Sequence, residues 1–158
     1  MADFTRAEAA IESCAAHLTT SGAAGTEIEA FLTRYLAVLI YSVFQGQCES
    51  IIEARAAAIV DRHGAFYVRA SRENVFRGMK IGDLAKYLGK FSPDCQAAFE
   101  ASVTNTPAHV AYDNILNSRH ITAHDTGTNM TFRELKEAFE SAKDVIAAFE
   151  ASIDVGRA

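Results

Sequence analysis

From Phe31 onward the chain carries apolar doublets at four-residue spacing: Phe31-Leu32, Tyr35-Leu36, Leu39-Ile40 and Val43-Phe44, then Cys48, Ile51-Ile52 and Ile59-Val60. On a helix of 3.6 residues per turn, a four-residue step advances the apolar surface by roughly 40°, so the greasy face winds around the rod instead of running along one side. A helix of this kind must touch several neighbours and belongs at the centre of a bundle. Thr26 followed by Glu29 has the spacing of a capping box that opens it, and His63-Gly64 is the expected close. Gly46 lies inside and marks either a bend or a close helix contact.

Other segments have the same period. Phe4, Ala7, Ile11, Cys14 and Leu18 predict a first amphipathic helix over Phe4 to Leu18, ended by Ser21-Gly22-Ala23-Ala24-Gly25. Short helical pieces punctuated by Gly78, Gly82 and Gly89 follow the long helix. Ser92-Pro93-Asp94 supplies a cap, a first-turn proline and an acid favourable to the dipole. Thr106-Pro107 repeats that signal and opens a helix running to His124. After a polar loop from Asp125 to Met130, Thr131 and Glu134 box the start of a final helix reaching Ile153, with Phe132, Leu135, Phe139, Val145-Ile146, Phe149 and Ile153 on its apolar face. No stretch alternates with a period of two, so the expectation is an all-α bundle of six or seven helices around one long one.

The 158 residues suit one domain, and an apolar content of 49% with two prolines fits an ordered core. Cys14, Cys48 and Cys95 are scattered and odd in number, and read as reduced core thiols. The start of the chain shows no secretory pattern, and Tyr35 to Phe44 is too short for a bilayer, so a cytoplasmic location without a membrane partner is expected. The net charge of −5 is unevenly spread. Between Arg62 and Lys90 seven basic residues face two acids, a local +5 that leaves −10 on the rest. Such a middle permits a phosphate-binding face, with Arg69, Arg72, Arg77 and Lys80 as the candidate RNA contacts; an ordinary solvated helix face is the alternative.

The chemistry concentrates in Asn117-Ser118-Arg119-His120-Ile121-Thr122-Ala123-His124. Ala108, Tyr112, Ile115, Leu116 and Ala123 make an apolar stripe in whose middle Arg119 falls, and a guanidinium there needs a carboxylate, carbonyls, a wet subunit interface or a phosphate. Asp113, Asn117, His120 and His124 line an adjacent face. Arg119 and His124 stand about 140° apart on an ideal helix, so either the helix distorts near His124 or two copies pool their motifs around a two-fold axis. His120 and His124 also form an HxxxH pair that could hold zinc with Asp113 or Asp125, but no Glu stands between them and no cysteines cluster nearby, so no metal site or cofactor is expected. His17, His63 and His109 read as ordinary solvated or capping histidines, and Tyr35, Phe44, Phe99, Phe139 and Phe149 as core.

The segment resembles the ribonuclease motif of the HEPN-domain family, in which Arg and His lie four to six residues apart with a polar residue after the Arg. Asn117-Ser118-Arg119-His120 followed by Ala123-His124 is most similar to its RiboL-PSP branch, and the likeness extends upstream through Tyr35 to Ile52 and Val75 to Ile81. The resemblance implies a HEPN-like bundle and a homodimer with a composite site. It also implies metal-independent endoribonuclease chemistry, in a toxin or defence setting with a possible cognate antitoxin or defence partner. His124 would then be the general acid or base, Arg119 the clamp on the phosphorane oxygens, His120 an orienting or second acid-base group, and Asn117 and Thr122 accessory donors. Asp125 stands where the family pattern leads one to expect Gly; an acid there raises the pKa of His124 or competes for Arg119. The rival expectation is a non-catalytic HEPN-like module that dimerises or binds RNA or a protein partner.

Overall fold

The computed structural model describes residues 2–72, 78–120 and 130–155, without the side chains of Arg119 and His120. Among these residues the elements are seven helices: α1 (Thr5–Ser21), α2 (Glu27–Ala57), α3 (Arg62–Ser71), α4 (Ile81–Leu88), α5 (Pro93–Val103), α6 (Pro107–His120) and α7 (Phe132–Ser152). The chain is thus an all-α bundle, and α2, at 31 residues, is its longest member.

The doublets explain how α2 is seated. The positions at four-residue spacing from Leu36, namely Leu36, Ile40, Phe44, Cys48, Ile52 and Ala56, are all buried at 1% exposure or less, whereas Leu32 is half-buried and Val60, beyond the end of α2, is fully exposed. That i+4 line winds around α2 and lets it pack against α1, α3, α6 and α7 along its length. First members near the N-terminus face outward instead. Tyr35, expected in the core, is 55% exposed, and with Ile28, Phe31 and Val38 it forms an apolar stripe at a/d spacing. The reason is geometric: the winding face has not yet turned those positions toward α6 and α7. Phe44 anchors the middle, stacked between Tyr112 of α6 and Phe139 of α7 at ring distances of 5.6 and 6.0 Å.

Caps account for most boundaries. Thr26 accepts from the Ile28 amide, while Glu29 accepts from Gly25 N through one oxygen and from Phe132 N through the other, tying the start of α2 to the start of α7. Ser92 accepts from the Cys95 amide, and Thr131 and Glu134 form the expected reciprocal box. One boundary differs from expectation. α2 ends at Ala57, and His63-Gly64 lies in the first turn of α3, where Asp61 accepts from both amides. The aspartate cap outweighs the glycine stop because Gly64 occupies an N-terminal position at which a left-handed C-cap has no role. Gly46 sits in unbroken helix, and a Cβ there would meet nothing within 4 Å, so a close contact does not explain it.

Cys48 and Cys95 are buried free thiols and Cys14 is partly buried. Burial, and then the charge of Glu49, pushes the Cys48 thiol well above its usual range. No described helix is long and apolar enough to cross a membrane.

Candidate functional site

α6 starts at Thr106, whose hydroxyl accepts from the His109 amide, with Pro107 as its first residue. Ala108, Ala111, Tyr112, Ile115 and Leu116 form its buried side. Arg119 and His120 are its last two residues: Arg119 follows Ile115 by four positions and His120 follows Asn117 by three. His124, Thr122 and Asp125 lie outside the described residues, as do Ala123 and Arg77.

Along the outer side of α6, His109, Asp113 and Asn117 repeat at four-residue spacing. His109 Nε2 lies 3.4 Å from Asp113 Oδ2, both side chains partly exposed. This pair was missed by reading each histidine singly, although the i, i+4 spacing was present in the sequence.

Two clefts flank this ridge. One, of about 940 Å³, runs between α6 and α7 and is lined by Val110, Asn114, Asn117, Ser118, Glu134 and Ser141 among others. The other, of about 500 Å³, is enclosed by the start of α4, the end of α5 and α6, and contains Lys80, Glu100, Thr104, His109, Asp113 and Asn117. Asn117, two residues before Arg119, borders both.

A backbone pin holds the second cleft's rim. Met79 is fully buried with φ of +51°, a left-handed conformation unusual for a long side chain, and its carbonyl accepts from the Tyr112 hydroxyl at 3.0 Å. Lys80 follows directly and is exposed, while its amide donates to Asp83. The other basic candidates are placed differently. Arg69 Nε lies 2.9 Å from Glu53 Oε2, and Arg72 pairs with the other oxygen of the same carboxylate. The Arg69 hydrogen bond, with the charges of both arginines, holds Glu53 below the usual carboxylate range. Their field is thereby partly cancelled, and Lys80 is the described basic candidate that borders a cleft beside α6.

Among the described residues no group of three or more His, Cys, Asp or Glu side chains is arranged to hold a metal. No family model, curated protein or solved structure matches the chain. The class that the fold defines is an all-α bundle whose motif helix α6 packs against α2 and α7.

Proposed function

We propose that this chain is a metal-independent endoribonuclease of HEPN type, acting as a toxin or defence effector at a composite site contributed by two copies. The observation that carries the reading is positional: Arg119-His120 ends α6 beside Asn117, the residue that borders both clefts. In the proposed reaction the RNA 2′-oxygen attacks the adjacent phosphorus and gives up its proton. The bond from phosphorus to the 5′-oxygen breaks, and that oxygen takes a proton, leaving a cyclic phosphate and a 5′-hydroxyl. His124 and His120 move the protons, Arg119 neutralises the phosphorane oxygens, and Asn117 and Thr122 donate hydrogen bonds.

The test is cleavage of end-labelled RNA in excess chelator, with products identified by mass, for the wild type and for Arg119→Ala and His124→Ala variants of verified helicity. Loss of cutting in both supports the assignment. Full activity in both refutes it.

A second reading, a non-catalytic module for dimerisation or partner binding, draws support from the exposed stripe Ile28, Phe31, Tyr35 and Val38 on α2. It predicts RNA or partner binding without any cleavage product.

A further inference from the structure

The cleft between α4, α5 and α6 has chemistry that the proposed cleavage step leaves unused. Its floor is apolar: Ile81, Ala85 and Leu116 line it, and each is buried at 7% exposure or less. Its rim carries two carboxylates, Glu100 and Asp113, each with one oxygen engaged nearby. Gln96 donates to Glu100 Oε1 at 2.8 Å, and His109 Nε2 stands beside Asp113 Oδ2. Among the described residues the second oxygen of each has no such contact, and it can only accept. Donors come from Lys80, Asn117 and Thr104, and the Tyr112 bond to Met79 holds the backbone next to Lys80.

An apolar floor with an acceptor-rich rim suits a nucleobase better than a bare phosphate, because the two acids offset Lys80. Among the four RNA bases, guanine alone presents two parallel N–H donors, at N1 and N2, to one carboxylate, while its O6 and N7 accept from donors such as Asn117. About 500 Å³ is room for a nucleotide.

We propose that this cleft is a guanine-recognising nucleotide subsite, with Asp113 or Glu100 reading the N1/N2 edge and Lys80 meeting the phosphate. The proposal rests on the ribonuclease reading for its RNA source: a guanosine held here would lie along α6 from Arg119 and set which phosphate is presented to the motif. His109 is a positioning residue that orients Asp113.

The experiment is an NMR titration of the full chain with GMP, AMP, CMP and UMP, following the Asn117 amide and the His109 ring, and with 2′-O-methyl oligonucleotides that contain or lack guanosine. GMP should bind with an affinity on the order of tenfold above the other nucleotides, and Asp113→Asn or Glu100→Gln should abolish that preference. Glu137→Gln, in the other cleft, should leave it intact. Equal binding of all four nucleotides, no binding, or a preference that survives both variants overturns the subsite. GMP binding without binding of the guanosine-containing oligonucleotide overturns its assignment to RNA. Because guanine recognition is read without cleavage, a chain that binds GMP selectively and never cuts RNA refutes the ribonuclease reading alone. A chain that cuts RNA with no guanine preference refutes the subsite alone.

Discussion

Removing the Tyr112 hydroxyl is the sharpest probe of how the bundle positions its candidate site. Tyr112→Phe keeps the ring stacked 5.6 Å from Phe44 and deletes the donor that reaches Met79 O at 3.0 Å. Both residues have zero exposure, so water cannot readily replace the lost partner. A buried carbonyl deprived of its donor costs about 1–3 kcal/mol. The left-handed backbone at Met79 adds to the effect, since such a conformation persists only where its surroundings hold it. For a chain of this size each kcal/mol lowers Tm by about 2–4 °C, so a fall of roughly 2–12 °C is expected by calorimetry. The urea midpoint should fall with an unchanged m-value, and the amides of Lys80 and Ile81 should exchange faster. A Tm within 1 °C of wild type, with exchange at Lys80 unaltered, would refute the view that this bond pins the rim.

Two further predictions concern stability. Gly46→Ala should stabilise by about 0.5–1 kcal/mol, because a Cβ there enters open space in unbroken helix, whereas Gly22→Ala should cost about as much because Gly22 holds φ of +63°. Chemical denaturation measures both, and a loss at Gly46 would show that some partner covers this face of α2. Burial pushes the Tyr87 phenol up to about 12, and its hydroxyl donates to Val68 O at 3.1 Å. The protonated form is the one stabilised by folding, so this contribution is intact below pH 10 and is lost as pH rises toward 12, on the order of 2–3 kcal/mol in all. Urea midpoints at pH 9 and 11.5 should therefore converge more closely in Tyr87→Phe than in wild type; an equal alkaline loss in both would count against the argument.

What could be read from the sequence was what local rules govern. The caps at Thr26, Ser92, Thr106 and Thr131 need only residues a turn away, and each stands at its expected residue, although Thr26 and Glu29 do not close the expected box: Thr26 accepts from Ile28 N and Glu29 from Gly25 N. The buried line along α2 followed from its period. Tyr35 was misplaced because a doublet does not say which member faces inward; that depends on where the neighbouring helices stop. The clamp of Arg69 and Arg72 on Glu53 spans 16 and 19 residues, and no short-range pattern marks it. The second cleft is assembled by α4, α5 and α6 meeting, and its His109–Asp113 spacing gained meaning only from the walls around it. Of the candidate site, the helix was legible: Asn117, Arg119 and His120 lie in the last turn of α6.

Asn117 borders both clefts, so a ligand in either can reach the same residue. A ligand in one cleft that draws the amide toward itself changes the affinity of the other, and linkage requires the effect to be equal in both directions. Substituting Asn117 therefore cannot report on either cleft alone. Its variants belong in double-mutant cycles with Asp113 on one side and Glu134 on the other, where a nonzero interaction energy measures the communication between the two chambers.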